Sequence, residues 1–153
     1  MLILWRDRFY YKLRKKEINN SIRGLRKIKI TAILQGISKE CWESNIQYEV
    51  IIESYDILLL QAAGLRKNVL LMYHKTSKVN LEQLKCFKQY MNIYRADRGV
   101  YITLGNFQGD YKIDRNIKLV NGVDFVRAQI GFFRRAYQVF SKNQISFYKF
   151  LPE

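Results

Sequence analysis

The side chains at the start of this sequence that are best suited to chemistry are cations set among aromatic rings. Arg6, Arg8, Lys12, Arg14, Lys15 and Lys16 are interleaved with Trp5, Phe9, Tyr10 and Tyr11, and Arg23, Arg26 and Lys27 follow. Guanidinium and ammonium groups neutralise phosphates without reading sequence, while aromatic faces stack on unpaired bases or sit in a headgroup layer. The chemistry on offer is binding of a polyanion. Metal and disulfide chemistry have less support: Cys41, Cys86 and the single His74 form no CxxC and no Cys/His cluster.

The charge behind this reading is uneven. The chain has 153 residues, 48% of them apolar, which suits one domain with a real core, or a domain with a tail. Its net charge is +14. Residues 1–30 hold ten basic and two acidic side chains, residues 31–126 hold twelve and ten, and residues 127–153 hold five and one. An anionic partner follows, nucleic acid first and an anionic membrane surface second, although charged ends can also be plain solvated helices. No run reaches the roughly 18 apolar residues of a spanning helix. A reducing, cytoplasmic setting is expected, with the inner face of a membrane as the alternative through the basic arm.

The elements that position these groups can be read from spacing. Asn19-Asn20-Ser21 reads as a helix stop and N-cap, and Ile22, Leu25, Ala32, Ile33 and Ile37 then keep a rough 3.6 period, which predicts a helix over 21–43. Three apolar, β-branched runs predict strands at 47–53, 56–61 and 68–73, with Ala63-Gly64 and Arg66-Lys67-Asn68 as the turn. From Leu81 the spacing becomes helical through Leu84, Phe87, Met91 and Tyr94, with Asn80 as N-cap. Strands are predicted at 99–104 and 117–120 and a helix from Val123. The fold class is α/β with a mixed sheet, and the crossover through the Leu81 helix forms a right-handed βαβ unit. Residues 1–20 form a basic aromatic arm or helix, 21–135 the domain and 136–153 an aromatic tail. Tyr137, Phe140, Phe147, Tyr148 and Phe150 suit docking on the core or on a partner better than exposure.

Several words in this order resemble the Mrr-type restriction-endonuclease-like domain of the Asp…Glu/Gln-x-Lys nuclease superfamily. Tyr48-Glu49-Val50 followed by Asp56-Ile57-Leu58-Leu59 is similar to the strand leading to that family's metal-binding aspartate. Val69-Leu70-Leu71-Met72-Tyr73-His74-Lys75 is similar to the strand that usually ends Gln-Cys-Lys. Gly99-Val100-Tyr101-Ile102-Thr103-Leu104-Gly105-Asn106-Phe107 and Ile117-Lys118-Leu119-Val120-Asn121-Gly122 match two further stretches. The likeness covers about residues 46–130 and implies a restriction-endonuclease-like core with helices on both sides of the sheet.

The resemblance implies a site. Such nucleases use Mg²⁺ or a similar ion, held by the aspartate and by the residue two before the lysine, to activate water. Carried over by position, Asp56 is the metal ligand, Lys75 the lysine, and Tyr73 stands where the second ligand belongs. A phenol with a pKa of about 10 is a poor ligand for a hard ion. Gln61 or Glu53 could supply the oxygen after a shift, a Gln or Glu substituted at Tyr73 would restore it directly, and Glu40 and Glu43 lie near the place of the family's helical glutamate. A purely structural reading makes Asp56 a turn residue, Lys75 a solvated strand end and His74 a residue of the opposite face.

Three functions remain open at this point. The first is a nuclease-fold domain that has lost hydrolysis and binds nucleic acid, DNA favoured, or docks into a protein complex. The second is an active Mg-dependent DNA endonuclease. The third is an interaction module of a membrane-associated machine.

Overall fold

The computed structural model describes residues 2–109, 114–130 and 145–152. Two helices, α1 (Leu2–Lys27) and α2 (Ile30–Glu43), precede three antiparallel strands, β1 (Gln47–Glu53), β2 (Ile57–Ala63) and β3 (Asn68–His74). Then come β4 (Lys78–Val79), α3 (Leu81–Ile93), β5 (Arg98–Thr103), β6 (Asn106–Phe107), β7 (Ile117–Val120) and α4 (Gly122–Ile130). The main sheet has the order β1-β2-β3-β5-β7; β3, β5 and β7 run parallel, so the sheet is mixed and the fold is α/β. No described helix is long and apolar enough to cross a membrane.

The predicted single helix over 21–43 is instead two helices, and the predicted stop at Asn19-Asn20-Ser21 is absent. Ser21 spends its hydroxyl on the Glu17 carbonyl one turn back (2.9 Å), so it lies inside a continuing helix rather than capping a new one. Ile18 and Leu25 are buried on the same side, and that packing outweighs the turn preference of two exposed asparagines. The break comes at Lys29, whose extended backbone (φ −67°, ψ 147°) ends one helix and starts the next without a side-chain cap.

Period-two alternation divides the sheet residues between two cores. Leu58, Leu60, Leu71, Tyr73, Val100 and Ile102 pack with Leu25, Ile33, Ile37 and Phe125 from α1, α2 and α4. Leu59, Leu70, Met72 and Tyr101 face the other way, onto Leu84, Phe87 and Met91 of α3. The α3 start is as predicted, with a full capping box between Asn80 and Gln83. The short parallel pair β4–β6 has no sequence signature, but it needs Gly105, where a Cβ would lie 2.1 Å from the Ser77 carbonyl oxygen.

Of the predicted tail, Tyr137 and Phe140 lie outside the described residues. Residues 145–152 dock on the core, burying Ile145, Phe147, Phe150 and Leu151. The Gln129 side-chain amide exchanges two 2.7 Å hydrogen bonds with the Ser146 backbone, as a neighbouring strand would. Glu40 accepts from the Phe147 N–H at 2.7 Å, and Glu43 accepts from the Tyr148 hydroxyl.

Candidate functional site

Asp56 and Lys75 meet where β2 begins and β3 ends, because the register pairs Ile57 with His74. The Asp56 carbonyl accepts from the Lys75 N–H at 2.8 Å. Asp56 lies just ahead of β2 rather than inside a strand over 56–61. Ser54 fixes it there: the Ser54 hydroxyl donates to Oδ1 (3.0 Å) and accepts from the Ile57 N–H (3.1 Å).

Lys75 leans across to α1 rather than into a cleft. Its Nζ donates to the Arg26 carbonyl at 3.2 Å, among the free carbonyls and negative dipole end of the last α1 turn. Burial lowers the pKa of this ammonium and the Asp56 carboxylate raises it, with burial the larger effect.

Tyr73 is fully buried, its ring edge-on to Phe125 and Phe147 at 5.8 and 6.0 Å between centroids. Its hydroxyl has no hydrogen-bond partner among the described residues. Burial holds the phenol well above its usual range, so a phenolate ligand is disfavoured as well. The suggested substitutes are elsewhere. Gln61 lies on the α3 side and donates to the Tyr94 carbonyl (3.0 Å), and Glu53 sits at the exposed end of β1, opposite Leu58. Glu40 and Glu43 hold residues 147 and 148.

Mg²⁺ takes about six oxygens in near-octahedral geometry. The residues here do not fit it: Asp56 is the one carboxylate beside Lys75, and no group of three or more His, Cys, Asp or Glu that could hold a metal occurs among the described residues.

His74 faces the other carboxylate oxygen of Asp56, with Nε2 3.9 Å from Oδ2. The ring is buried on the α3 side, and its Nδ1 lies 2.8 Å from the Tyr101 hydroxyl. One arrangement satisfies all three groups: the hydroxyl donates to Nδ1 and the Nε2–H faces the carboxylate. Burial lowers the imidazole pKa and Asp56 opposes that, so the ring is held neutral. Sequence reasoning missed Tyr101 as the partner. The parallel register pairs Met72 with Tyr101 and His74 with Thr103, and only that register reveals the diagonal contact.

Arg6, Arg8, Lys12 and Arg14 belong to α1, but their side chains lie outside the described part. Lys15, Lys16, Arg23, Arg26 and Lys27 are all exposed, and none forms an ion pair with a carboxylate among the described residues. At about 100° per residue they fall in a sector of roughly 120°, turned away from Ile18, Ser21 and Leu25, which face the core. Two further rings whose type suits stacking on unpaired bases, Phe132 and Phe133, lie outside the described residues.

Comparison of the chain with family models, with curated proteins and with solved structures found no match.

Proposed function

We propose that this chain is a non-hydrolysing, Mrr-like domain that docks on nucleic acid, duplex DNA first, through the cationic side of α1. The observation that carries the reading is the five-residue exposed cationic sector of α1, anchored by a buried opposite side. The order of helix, three-strand meander, helix and strand, with an aspartate facing a lysine across β2 and β3, supports the family likeness. Loss of hydrolysis follows from what those two residues do: Lys75 is tied to α1, Asp56 to Ser54 and His74, and the second ligand position is a sealed phenol.

Five phosphate contacts would give a log affinity that falls with log salt at a slope of about −4.5 on duplex DNA. Fluorescence anisotropy with a labelled duplex reads that slope. Arg23→Gln combined with Lys27→Gln should reduce it by about 1.8. An unchanged slope, or binding to vesicles containing phosphatidylserine with none to the duplex, would overturn the reading.

A further inference from the structure

A second surface, on the outer side of α2, has the features of a peptide groove. Leu34, Ser38, Lys39 and Trp42 of the helix and Tyr48 and Glu53 of β1 line a depression of about 630 Å³. Trp42 is 86% exposed, and the Ser38 and Tyr48 hydroxyls share a 2.8 Å hydrogen bond that fixes the two walls together. At the ordinary rise per residue, Tyr48 to Glu53 spans about 17 Å of strand. Thr31 to Trp42 spans about 16 Å of helix, so the walls match in length.

β1 is an outer strand of the sheet, so its free row of N–H and C=O groups has no strand partner among the described residues. The register with β2 slips between Val50 and Ile52. Before the slip Tyr48 shares the α2 side with Ala62 and Glu49 the α3 side with Gln61; after it Glu53, opposite Leu58, is on the α2 side. One carboxylate therefore flanks the free edge on each side of the sheet.

The charge of this surface opposes that of the protein. β1 carries Glu49 and Glu53 and no Lys or Arg, in a chain of net charge +14, and Lys39 on the α2 wall is the one cation among the lining residues named above. Glu49 and Glu53 are exposed and form no ion pair among the described residues. Two β1 edges paired about Glu49 or about Glu53 would set like carboxylates opposite each other, and like charges across a strand pair destabilise it. A phosphate backbone meets the same repulsion.

We propose that this edge and groove bind an extended, cationic segment of another protein, which adds to β1 as a strand. Its Lys or Arg side chains lie against Glu49 on the α3 side, and its alternate, apolar side chains cover Trp42 and Tyr48 on the α2 side. Main-chain pairing provides affinity and the alternate side chains provide selectivity. The bulge keeps the regular ladder short, which places more of the selectivity on the side chains.

The probe is a fluorescein-labelled ten-residue peptide of alternating Lys and Val, titrated into the full chain. It should bind, while a Glu-Val counterpart should not. A Lys-Val peptide with one central Pro should bind at least about tenfold more weakly, as should the plain peptide with Glu49→Lys or Trp42→Ala. Both substituted side chains are exposed, so the melting temperature should hold. Equal binding of the Pro-containing peptide would reduce the effect to bulk charge and overturn the proposal. So would failure of the Lys-Val peptide to bind, or a dimer in sedimentation that Trp42→Ala dissolves, which would give the groove to a second copy.

Discussion

Removing the Tyr73 hydroxyl should make the protein more stable. The oxygen is buried with no partner among the described residues, so folding strips it of water and returns nothing. Burying a hydroxyl this way costs about 1–3 kcal/mol in proteins, and Tyr73→Phe removes that cost while keeping the ring contacts to Phe125 and Phe147. The small void left by one oxygen gives part of it back, so the net gain should be about 1 kcal/mol. For a chain of this size that is a rise of about 2–4 °C in melting temperature. Urea denaturation should show a higher midpoint with an unchanged slope. Tyr101→Phe is the internal control. Its hydroxyl bonds His74 Nδ1 at 2.8 Å, and losing it leaves a buried ring nitrogen unpaired, so that variant should lose about 1–3 kcal/mol. Opposite signs for the two substitutions are the expected result. If Tyr73→Phe destabilises by more than about 0.5 kcal/mol, the hydroxyl has a bound partner such as a water, and the picture of a sealed, unsatisfied phenol is wrong.

Tyr73→Glu, which ligand logic asks for, should give no nuclease activity and cost about 3 kcal/mol or more, because the new carboxylate is buried without a cation; nicking of plasmid in Mg²⁺ or Mn²⁺ by this variant would refute that. The wild type should leave plasmid intact in either ion, and nicking abolished by both Asp56→Ala and Lys75→Ala would restore the enzyme. Phe147→Ala should cost about 3–5 kcal/mol, since the ring is fully buried against Tyr73 and Phe125; an unchanged melting curve would mean that residues 145–152 do not stay docked. The His74 pKa is lowered from 6.5 on folding, so its neutral form stabilises the fold above that pH, and stability should fall as pH drops through 6.5 towards the lower folded value. Glu40 has the opposite sign: its raised pKa makes ionisation unfavourable in the fold, so stability should fall as pH rises from 4.5 to the raised value, and Glu40→Gln should flatten that part of the profile.

What was legible in the sequence was whatever short-range periodicity controls. The α3 stripe from Leu81 and its Asn80 cap, the β7 run and the start of α4 near Val123 are local patterns, and the structure has them within a residue. The end of the basic helix was not legible, because Ser21 can cap a helix or bond back to Glu17, and only the burial of Ile18 and Leu25 decides between these. The resemblance set Asp56 beside Lys75, and the two are joined by a backbone hydrogen bond. Their engagements were hidden, since Lys75 reaches a carbonyl 49 residues away and the strand ends say nothing about where α1 stops. Glu40 was noted as a possible site residue, yet its partner lies 107 residues on, beyond the reach of any spacing argument.

That distance between Glu40 and Phe147 bears on how the molecule is made. Synthesis runs from the N-terminus, so α1, α2 and the whole sheet exist before Ile145, Phe147, Phe150 and Leu151 do. Until those side chains arrive, the rings of Tyr73 and Phe125 and the Glu40 carboxylate face an open trough. Bringing ends 107 residues apart together carries a closure entropy of about 4 kcal/mol if the intervening chain is loose, and far less once the sheet has formed. Without residues 145–152 the side around α3 is closed and the opposite side is open and apolar. A chain that stops between residues 130 and 145 would keep that apolar face open, the kind of surface on which chaperones and aggregation act.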